Sequence, residues 1–344
     1  MATEPVVGGG VVHVGQPLVA DSLDELIAGA TDRVGVRSSD AKSGARFETL
    51  RLDGQPCFLK VLSAEDDWIM RVTGNTTNWE FQVWRSGIYQ QWPESIDHTI
   101  LGMALEGTGR DARLSILMTD CSSDLVPPGD ALLPEQHHLD LVDHMAAMHA
   151  RFLGWKDEIG LADPAHRYRW FAPEIIAPEL EVADVPGPVA AAHQGWALLP
   201  ERAPELDRLA RSVQDDPQAL VDALSSTPST FVGGDWKLGN LGRRPDGRTI
   251  LVDQAYPGEA PPCWDLTWHL ALNRARIPIS KEATIAHYRD RLEHHGVDTA
   301  TWFERQLGLT LLGMASLFAW EKALGDEVEL AWWQQAALDG AQWL

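Results

Sequence analysis

Cysteine is scarce in this sequence: its 344 residues include three, Cys57, Cys121 and Cys263, far apart and odd in number. They have neither metal-ligand spacing nor the pairing of a disulfide framework, which excludes a disulfide scaffold and suits a reducing compartment. Positive charge is also thin, with 28 Lys and Arg against 50 Asp and Glu and a formal net charge of −22. A surface that acidic repels nucleic acid and anionic lipid, so neither is an expected partner. The acidity serves solubility, and it would also favour a cationic small molecule near a site. The first basic residue is Arg33, so no early positive region followed by an apolar run marks a secretory signal. Long uncharged apolar runs of membrane-spanning length are missing as well. The expectation is a soluble, cytoplasmic chain. Apolar residues make up 44%, enough for one large domain or two modest ones.

What is present changes character along the chain. Residues 1 to about 20 are rich in Gly and Val and read as a loose arm or edge strand. Asp21-Ser22-Leu23-Asp24-Glu25 opens a short helix with acids in its first turn. Ala45 to Leu52 and Pro56 to Leu62 read as two strands joined by the turn pair Asp53-Gly54. Thr77-Asn78-Trp79-Glu80 has the form of a capping box, followed at helical spacing by Phe81, Trp84 and Ile88. Arg113 to Thr119 is another strand. Beyond it, Pro134 starts a helix whose apolar face carries Leu139, Val142, Met145, Ala146 and Phe152. Ala-rich helical sequence with Pro breaks continues to about residue 225. A short β insert surrounds Pro245-Asp246-Gly247, and the chain from Trp264 onward is mostly helical. Strands first and helices later imply an α+β chain or two lobes, divided near residue 120.

Three residues close together suggest chemistry. Asp235 and Asn240 fall in a loop between Thr230-Phe231-Val232 and Leu241, and Thr249 to Val252 is an apolar strand running into Asp253. Phosphoryl transfer needs a carboxylate to receive a hydroxyl proton and oxygen ligands for Mg²⁺. Asp-x-x-x-x-Asn alone is a chance pattern; with a carboxylate at the end of the next strand it supplies the whole set. Lys60, inside Phe58-Leu59-Lys60-Val61-Leu62, is either an edge-strand lysine facing water or a buried ammonium that needs a partner. Glu80 could pair with it or act only as a helix cap. The segment Asp40-Ala41-Lys42-Ser43-Gly44-Ala45-Arg46 has one glycine and matches neither a Walker loop nor Gly-x-Gly-x-x-Gly.

Taken together, these segments resemble the aminoglycoside phosphotransferase and choline kinase family over about residues 30 to 344. Phe58 to Val61 looks like the nucleotide-lysine strand and Trp79-Glu80 like the pairing helix. Leu117-Met118-Thr119-Asp120-Cys121 looks like an adenine-reading hinge. His144 to Ala150 looks like the helix before the catalytic loop, and Pro262 to Leu266 like the structural-aspartate turn around Asp265. The resemblance implies a bilobal protein-kinase-like α+β fold, with a small antiparallel-sheet N-lobe over residues 1–119 and a larger, mostly helical C-lobe over 120–344. It implies ATP and Mg²⁺ as cofactors and an O-phosphotransferase acting on a small polar acceptor, with a sugar or a sugar-bearing antibiotic, aminoglycoside or nucleoside, preferred. Asp235 would be the catalytic base, Asn240 and Asp253 the metal ligands, and Lys60 the phosphate contact oriented by Glu80. Lys42, Ser43 and Gly44 would cover the phosphates, and Met118, Asp120 and Cys121 would border the base. One departure is plain: the family usually places a histidine two residues before the catalytic aspartate, and here Gly233 stands there.

The remaining candidates are broader. His137, His138, His144 and His149 lack His-x-x-x-His spacing and read as structural. His294 and His295 read as exposed. Among the 15 tryptophans, Trp236, Trp268 and Trp320, with Asn273 and Glu321, are candidates to line an acceptor cleft. Asp326, Glu327 and Glu329 could attract an amine or simply solvate a helix end. The alternative to an enzyme is a degenerate kinase fold that binds a ligand without catalysis. The oligomeric state is not legible in the sequence.

Overall fold

The turn pair Asp53-Gly54 takes positive φ at both positions, 49° and 78°, as a two-residue hairpin requires. The computed structural model describes residues 17–36 and 43–344. Its elements run β1 (Val19–Ala20), α1 (Leu23–Leu26), β2 (Thr31–Val36), β3 (Arg46–Leu52), β4 (Gln55–Leu62), α2 (Trp68–Thr73), α3 (Trp79–Arg85), β5 (Ile96–Asp97), β6 (Ile100–Glu106) and β7 (Arg113–Thr119). Next come α4 (Glu135–Arg151), α5 (Pro164–Arg167), α6 (Pro173–Ile176), α7 (Gly187–Arg202), α8 (Pro204–Asp215), α9 (Pro217–Leu224), β8 (Thr230–Val232), β9 (Leu241–Arg243), β10 (Thr249–Leu251) and β11 (Gly258–Ala260). The rest is α10 (Cys263–Leu272), α11 (Lys281–His294), α12 (Phe303–Leu324) and α13 (Glu327–Ala341). The mixed α+β architecture is as expected, with a sheet-based N-terminal region and a helical C-terminal part. Of the Gly- and Val-rich arm, Val19–Ala20 is an edge strand, and residues 1–16 lie outside the described residues.

The first six-stranded sheet has the order β1-β6-β7-β4-β3-β2, and its one parallel pair is β1 with β6. β4 is interior, paired with β3 and β7, so Lys60 stands opposite Phe47 and Ile116. Period-two alternation separates its faces. Cys57 and Leu59 pack with Leu50, Ala104 and Leu117 on one side, while Leu62 joins the main core on the other. Lys60 falls on the Leu62 side, facing the rest of the molecule, and is not an edge-strand lysine.

α3 corrects one expectation. Its N-cap is Asn78 in a left-handed conformation with no side-chain cap bond, so Thr77 and Glu80 form no capping box. Instead Asn75 Oδ1 accepts the Trp79 N–H at 3.0 Å, which leaves the Glu80 carboxylate free to turn inward. A helix the sequence reading passed over, α2, is capped by Asp67. It is clasped to the helical region by Arg71, which donates to both Glu179 carboxylate oxygens at 2.7 Å and to the carbonyls of Ala64 and Glu65. Trp68 against Phe171, with centroids 6.1 Å apart, continues that contact.

α12 is long and apolar enough to cross a membrane, but 83% of its most apolar window is buried within the protein. It packs against α7, α8, α10 and α13 as the central helix of the second region.

Candidate active site

β8 ends at Val232, and Gly233-Gly234 turns the chain sharply. Gly234 has φ 82°, and a β-carbon there would lie 2.2 Å from the Tyr256 carbonyl oxygen, so only glycine fits. The Gly234 N–H donates to Asp265 Oδ1 at 3.1 Å. Asp265 Oδ2 lies 3.3 Å from His149 Nε2. A carboxylate under the turn and a histidine of α4 thus fix the base of the loop. His138 bonds Thr284 and His144 bonds Thr249, both structural, while His294 and His295 are exposed.

Asp235 is 4% exposed, yet well supplied with donors. Trp268 Nε1 donates to Oδ1 at 2.9 Å, and Asn240 Nδ2 to Oδ2 at 2.9 Å. Lys237 Nζ lies 2.8 Å from Oδ2. A carboxylate has about four acceptor positions, so three such contacts leave room for one more hydroxyl. Burial pushes the Asp235 carboxyl above its usual range, and Asp253 adds to this while Lys237 opposes it.

Asn240 spends its amide N–H on Asp235, which leaves its Oδ1 as a ligand atom. Asp253 lies just past β10 with φ 59°, a left-handed conformation that is uncommon for a non-glycine residue and is held here by its surroundings. Lys60 Nζ donates to Asp253 Oδ1 at 2.7 Å and lies 3.6 Å from Glu80 Oε1. Burial would raise the Asp253 carboxyl, but Lys60 and Lys237 outweigh it and hold it below the ordinary range. Burial pushes Glu80 up to about 7, with Lys60, already spent on Asp253, opposing only in part. Burial would strip the proton from Lys60, and the two acids reverse that and raise its affinity for the proton.

The structure therefore brings Lys60, Glu80, Asp235, Asn240 and Asp253 together from segments nearly 200 residues apart. Three residues that sequence reasoning missed join them. Lys237, two places after Asp235, contacts it directly. Asp67 is buried and near Lys60, and burial raises its carboxyl despite that neighbour. Gln254 is buried beside Asp253 and donates to the Leu251 carbonyl at 3.2 Å. Lys237 was readable from its spacing to Asp235; the other two carried no local signal.

The remaining site candidates separate. Met118 lines a cavity of about 10 Å³ together with Lys60, Glu80, Tyr89 and Asp253. The Asp120 N–H donates to the Pro56 carbonyl at 3.2 Å, and the Asp120 carboxylate is held by Ser122. Cys121 is buried, which pushes its thiol up to about 11. Gly44 lies against the Asp66 backbone, and Ser43 Oγ accepts the Ala45 N–H at 3.4 Å. Asp40, Ala41 and Lys42 lie outside the described residues. Trp236 and Asn273 do not face an acceptor cleft. Trp236 is fully buried, and Asn273 lies beneath the loop, accepting the Leu238 N–H at 2.9 Å and donating to the Trp236 carbonyl at 3.3 Å. Trp268 is also buried and serves Asp235. Trp320 and Glu321 line a separate open cavity of about 600 Å³. Of the acids that could attract an amine, Glu329 is buried and paired with Lys281 and Lys322, whereas Asp326 and Glu327 are exposed at the start of α13, 3.9 Å from Arg274 and 3.4 Å from Arg202.

No protein-family model and no curated protein matches the chain. Solved structures do. A choline kinase from Streptococcus pneumoniae superposes with a TM-score of 0.52 at 10% identity, covering 93% of this chain and 96% of its own. A macrolide 2'-phosphotransferase type I gives 0.43 at 16% identity, with 88% and 89% covered. An amicoumacin kinase in complex with AMP-PNP and Ca²⁺ gives 0.49 at 12%, with 89% and 88% covered. The likeness to the choline kinase extends over nearly the whole of both chains, and the chain has its bilobal, protein-kinase-like fold.

Proposed function

We propose that the chain is an ATP-dependent O-phosphotransferase of the aminoglycoside phosphotransferase and choline kinase type, acting on a hydroxyl of a small polar acceptor. Residues 1–119 would form the nucleotide-binding lobe and 120–344 the catalytic one. The observation that carries the reading is the convergence of Lys60, Asp235, Asn240 and Asp253, with Glu80 behind Lys60. Within a kinase fold that set is what phosphoryl transfer needs.

The acceptor hydroxyl would take the open acceptor position of Asp235. Its oxygen attacks the γ-phosphorus, the bond to the bridging oxygen of ADP breaks, and the hydroxyl proton passes to Asp235. Trp268, Asn240 and Lys237 fix the carboxylate, so little reorganisation is left for the reaction itself. The Lys237 ammonium also gives positive charge beside the transferring phosphoryl group. Lys60 would move from Asp253 to the nucleotide phosphates, with Glu80 holding it. Asn240 Oδ1 and the Asp253 carboxylate are hard oxygen donors and fit Mg²⁺. Among the described residues no group of three or more His, Cys, Asp or Glu forms a protein-only metal site, which suits a metal held jointly with phosphates. Mg²⁺ would neutralise phosphate charge as it develops. A sugar or sugar-bearing antibiotic remains the favoured acceptor.

The test is ADP release with Mg-ATP and an acceptor panel, together with thermal melting in ATP with and without Mg²⁺. A metal-dependent shift and acceptor-dependent turnover lost in Asp235→Ala are expected. Full turnover by Asp235→Ala would remove the catalytic assignment.

A further inference from the structure

Arg167, the last residue of α5, is a buried cation without a carboxylate partner. It is 1% exposed, and among the described residues no acid pairs with it. The guanidinium lies against the rings of Trp170 and Trp264, 5.8 and 5.3 Å from their centroids, which offsets part of the cost of burying its charge. Burial pulls its pKa down to about 10, with Asp265 opposing, so it is charged at neutral pH. One of its nitrogens is bonded: Nη1 donates to the Tyr256 carbonyl at 3.0 Å, while Nε and Nη2 find no acceptor among the described residues. As mere filling, an apolar side chain of similar volume would cost less here. The bond to the Tyr256 carbonyl is what the guanidinium supplies and an apolar residue could not.

That carbonyl is where two loops of the site touch. Tyr256 belongs to the segment leaving Asp253, and its carbonyl faces the turn that leads into Asp235: a β-carbon on Gly234 would lie 2.2 Å from the oxygen. The Tyr256 ring continues the contact, 5.3 Å from Trp268, whose Nε1 donates to Asp235. On the other side of the turn, Asp265 accepts the Gly234 N–H. Arg167 also meets the far end of the Asp253 segment. Its Nη2 stands where a β-carbon on Gly258, the first residue of β11, would lie 2.4 Å away, and Gly258 is opposite Val232 at the end of β8. Arg167 thus holds the segment from Asp253 to Gly258 at the same places where that segment is pressed against the strand and loop carrying Asp235.

Resting on the phosphotransferase reading above, we infer that Arg167 is a positioning residue: by holding the Tyr256 carbonyl against Gly234, it sets the register of the Asp253 segment on the Asp235 loop, and so the separation of the metal-holding carboxylate from the base. Buried as it is, Arg167 reaches neither nucleotide nor acceptor. Its effect therefore falls on the geometry of the reacting groups and not on binding. A misplacement of about 1 Å between such groups can cost about 10²-fold in rate.

The experiment compares Arg167→Met, which keeps a long side chain and removes the donor, with Arg167→Lys, which keeps a cation and a donor. Both are assayed below their melting temperatures by ADP release from Mg-ATP, with the acceptor that the unaltered protein turns over best, alongside the melting shift in Mg-ATP. Arg167→Met should lower kcat about 10- to 100-fold with both KM values within about threefold, and the Mg-ATP melting shift should persist. Arg167→Lys should retain more, losing about three- to tenfold. A purely structural role predicts a lower melting temperature with the kcat of the folded protein intact, and that result overturns the assignment. So does an equal loss of kcat in the two variants, or a rise in KM at unchanged kcat. Should the methionine variant fail to fold, Arg167→Lys decides alone: lowered kcat at unchanged KM supports the assignment, and full kcat overturns it. Absence of Mg-ATP binding and of turnover in the unaltered protein would instead sink the phosphotransferase reading, and this assignment with it.

Discussion

Gln254 fills the space into which a side chain at position 233 would project, so that a β-carbon on Gly233 would lie 2.2 Å from Gln254 Oε1. Glycine at position 233 and the glutamine after Asp253 therefore go together: Gln254 occupies the space that a side chain at 233 would need. Gly233→Ala forces the end of the Gln254 side chain to swing aside and should cost about 0.5–1.5 kcal/mol of stability. Adding Gln254→Ala should recover part of that loss, a non-additivity that urea denaturation of the single and double variants would reveal. Strict additivity would mean that the two positions are independent.

Asp235→Asn is isosteric and removes the proposed base, though its amide can accept from only one side of the Trp268, Asn240 and Lys237 donor set. Turnover should fall about 10²- to 10⁴-fold while acceptor KM changes little. Because burial raises the Asp235 carboxyl, the acid limb of the unaltered enzyme's kcat/KM should lie above the ordinary aspartate value of about 3.9. A limb at or below that value would assign it to another group.

Lys237→Ala should lower kcat about 10- to 10³-fold, since its ammonium contacts Asp235, the proposed base. Steady-state kinetics at saturating ATP and acceptor measure this directly.

Glu80 gives stability a pH dependence. Its folded value of about 7 lies above the roughly 4.3 of an unfolded glutamate. The folded protein thus holds a proton that the unfolded chain has released. The associated stability is full below about pH 4 and is lost as pH rises through about 7. Without nucleotide, Glu80→Gln should lose less stability than the unaltered protein between pH 5 and 8. Parallel melting curves for the two would rule this out.

The clasp between Arg71 and Glu179 should also be measurable. Arg71→Ala leaves the buried Glu179 carboxylate unpaired and should cost about 2–3 kcal/mol. Removing both partners should cost less than removing Arg71 alone, as a double-mutant cycle in urea would show.

Local chemistry explains what the sequence made legible. The Asp53-Gly54 turn, the strand from Pro56 to Leu62 and the loop from Asp235 to Asn240 all depend on near neighbours in the chain, and the observed fold follows them. The Thr77 capping box was misread because a more distant residue, Asn75, satisfies the helix start. α2 was missed because it spans only Trp68 to Thr73 and its stability comes from Asp67, Arg71 and the remote Glu179. Trp236, Trp268 and Asn273 had the composition of a ligand cleft, but whether such groups face a cavity or support a loop depends on tertiary packing. Asp67 and Gln254 become notable only once the chain brings them to Lys60 and Gly233.

The cleft around Lys60 also carries more acids than bases. Among the described residues, Asp67, Glu80, Asp235 and Asp253 stand there against Lys60 and Lys237, an excess of acid that metal-free ATP, itself an anion, would meet as repulsion. Divalent cation and nucleotide should therefore enter as partners in one linked equilibrium, each tightening the other by the same factor. Raising ionic strength would weaken the repulsion at the exposed mouth far more than the contacts within, so the metal requirement for nucleotide binding should relax in concentrated salt.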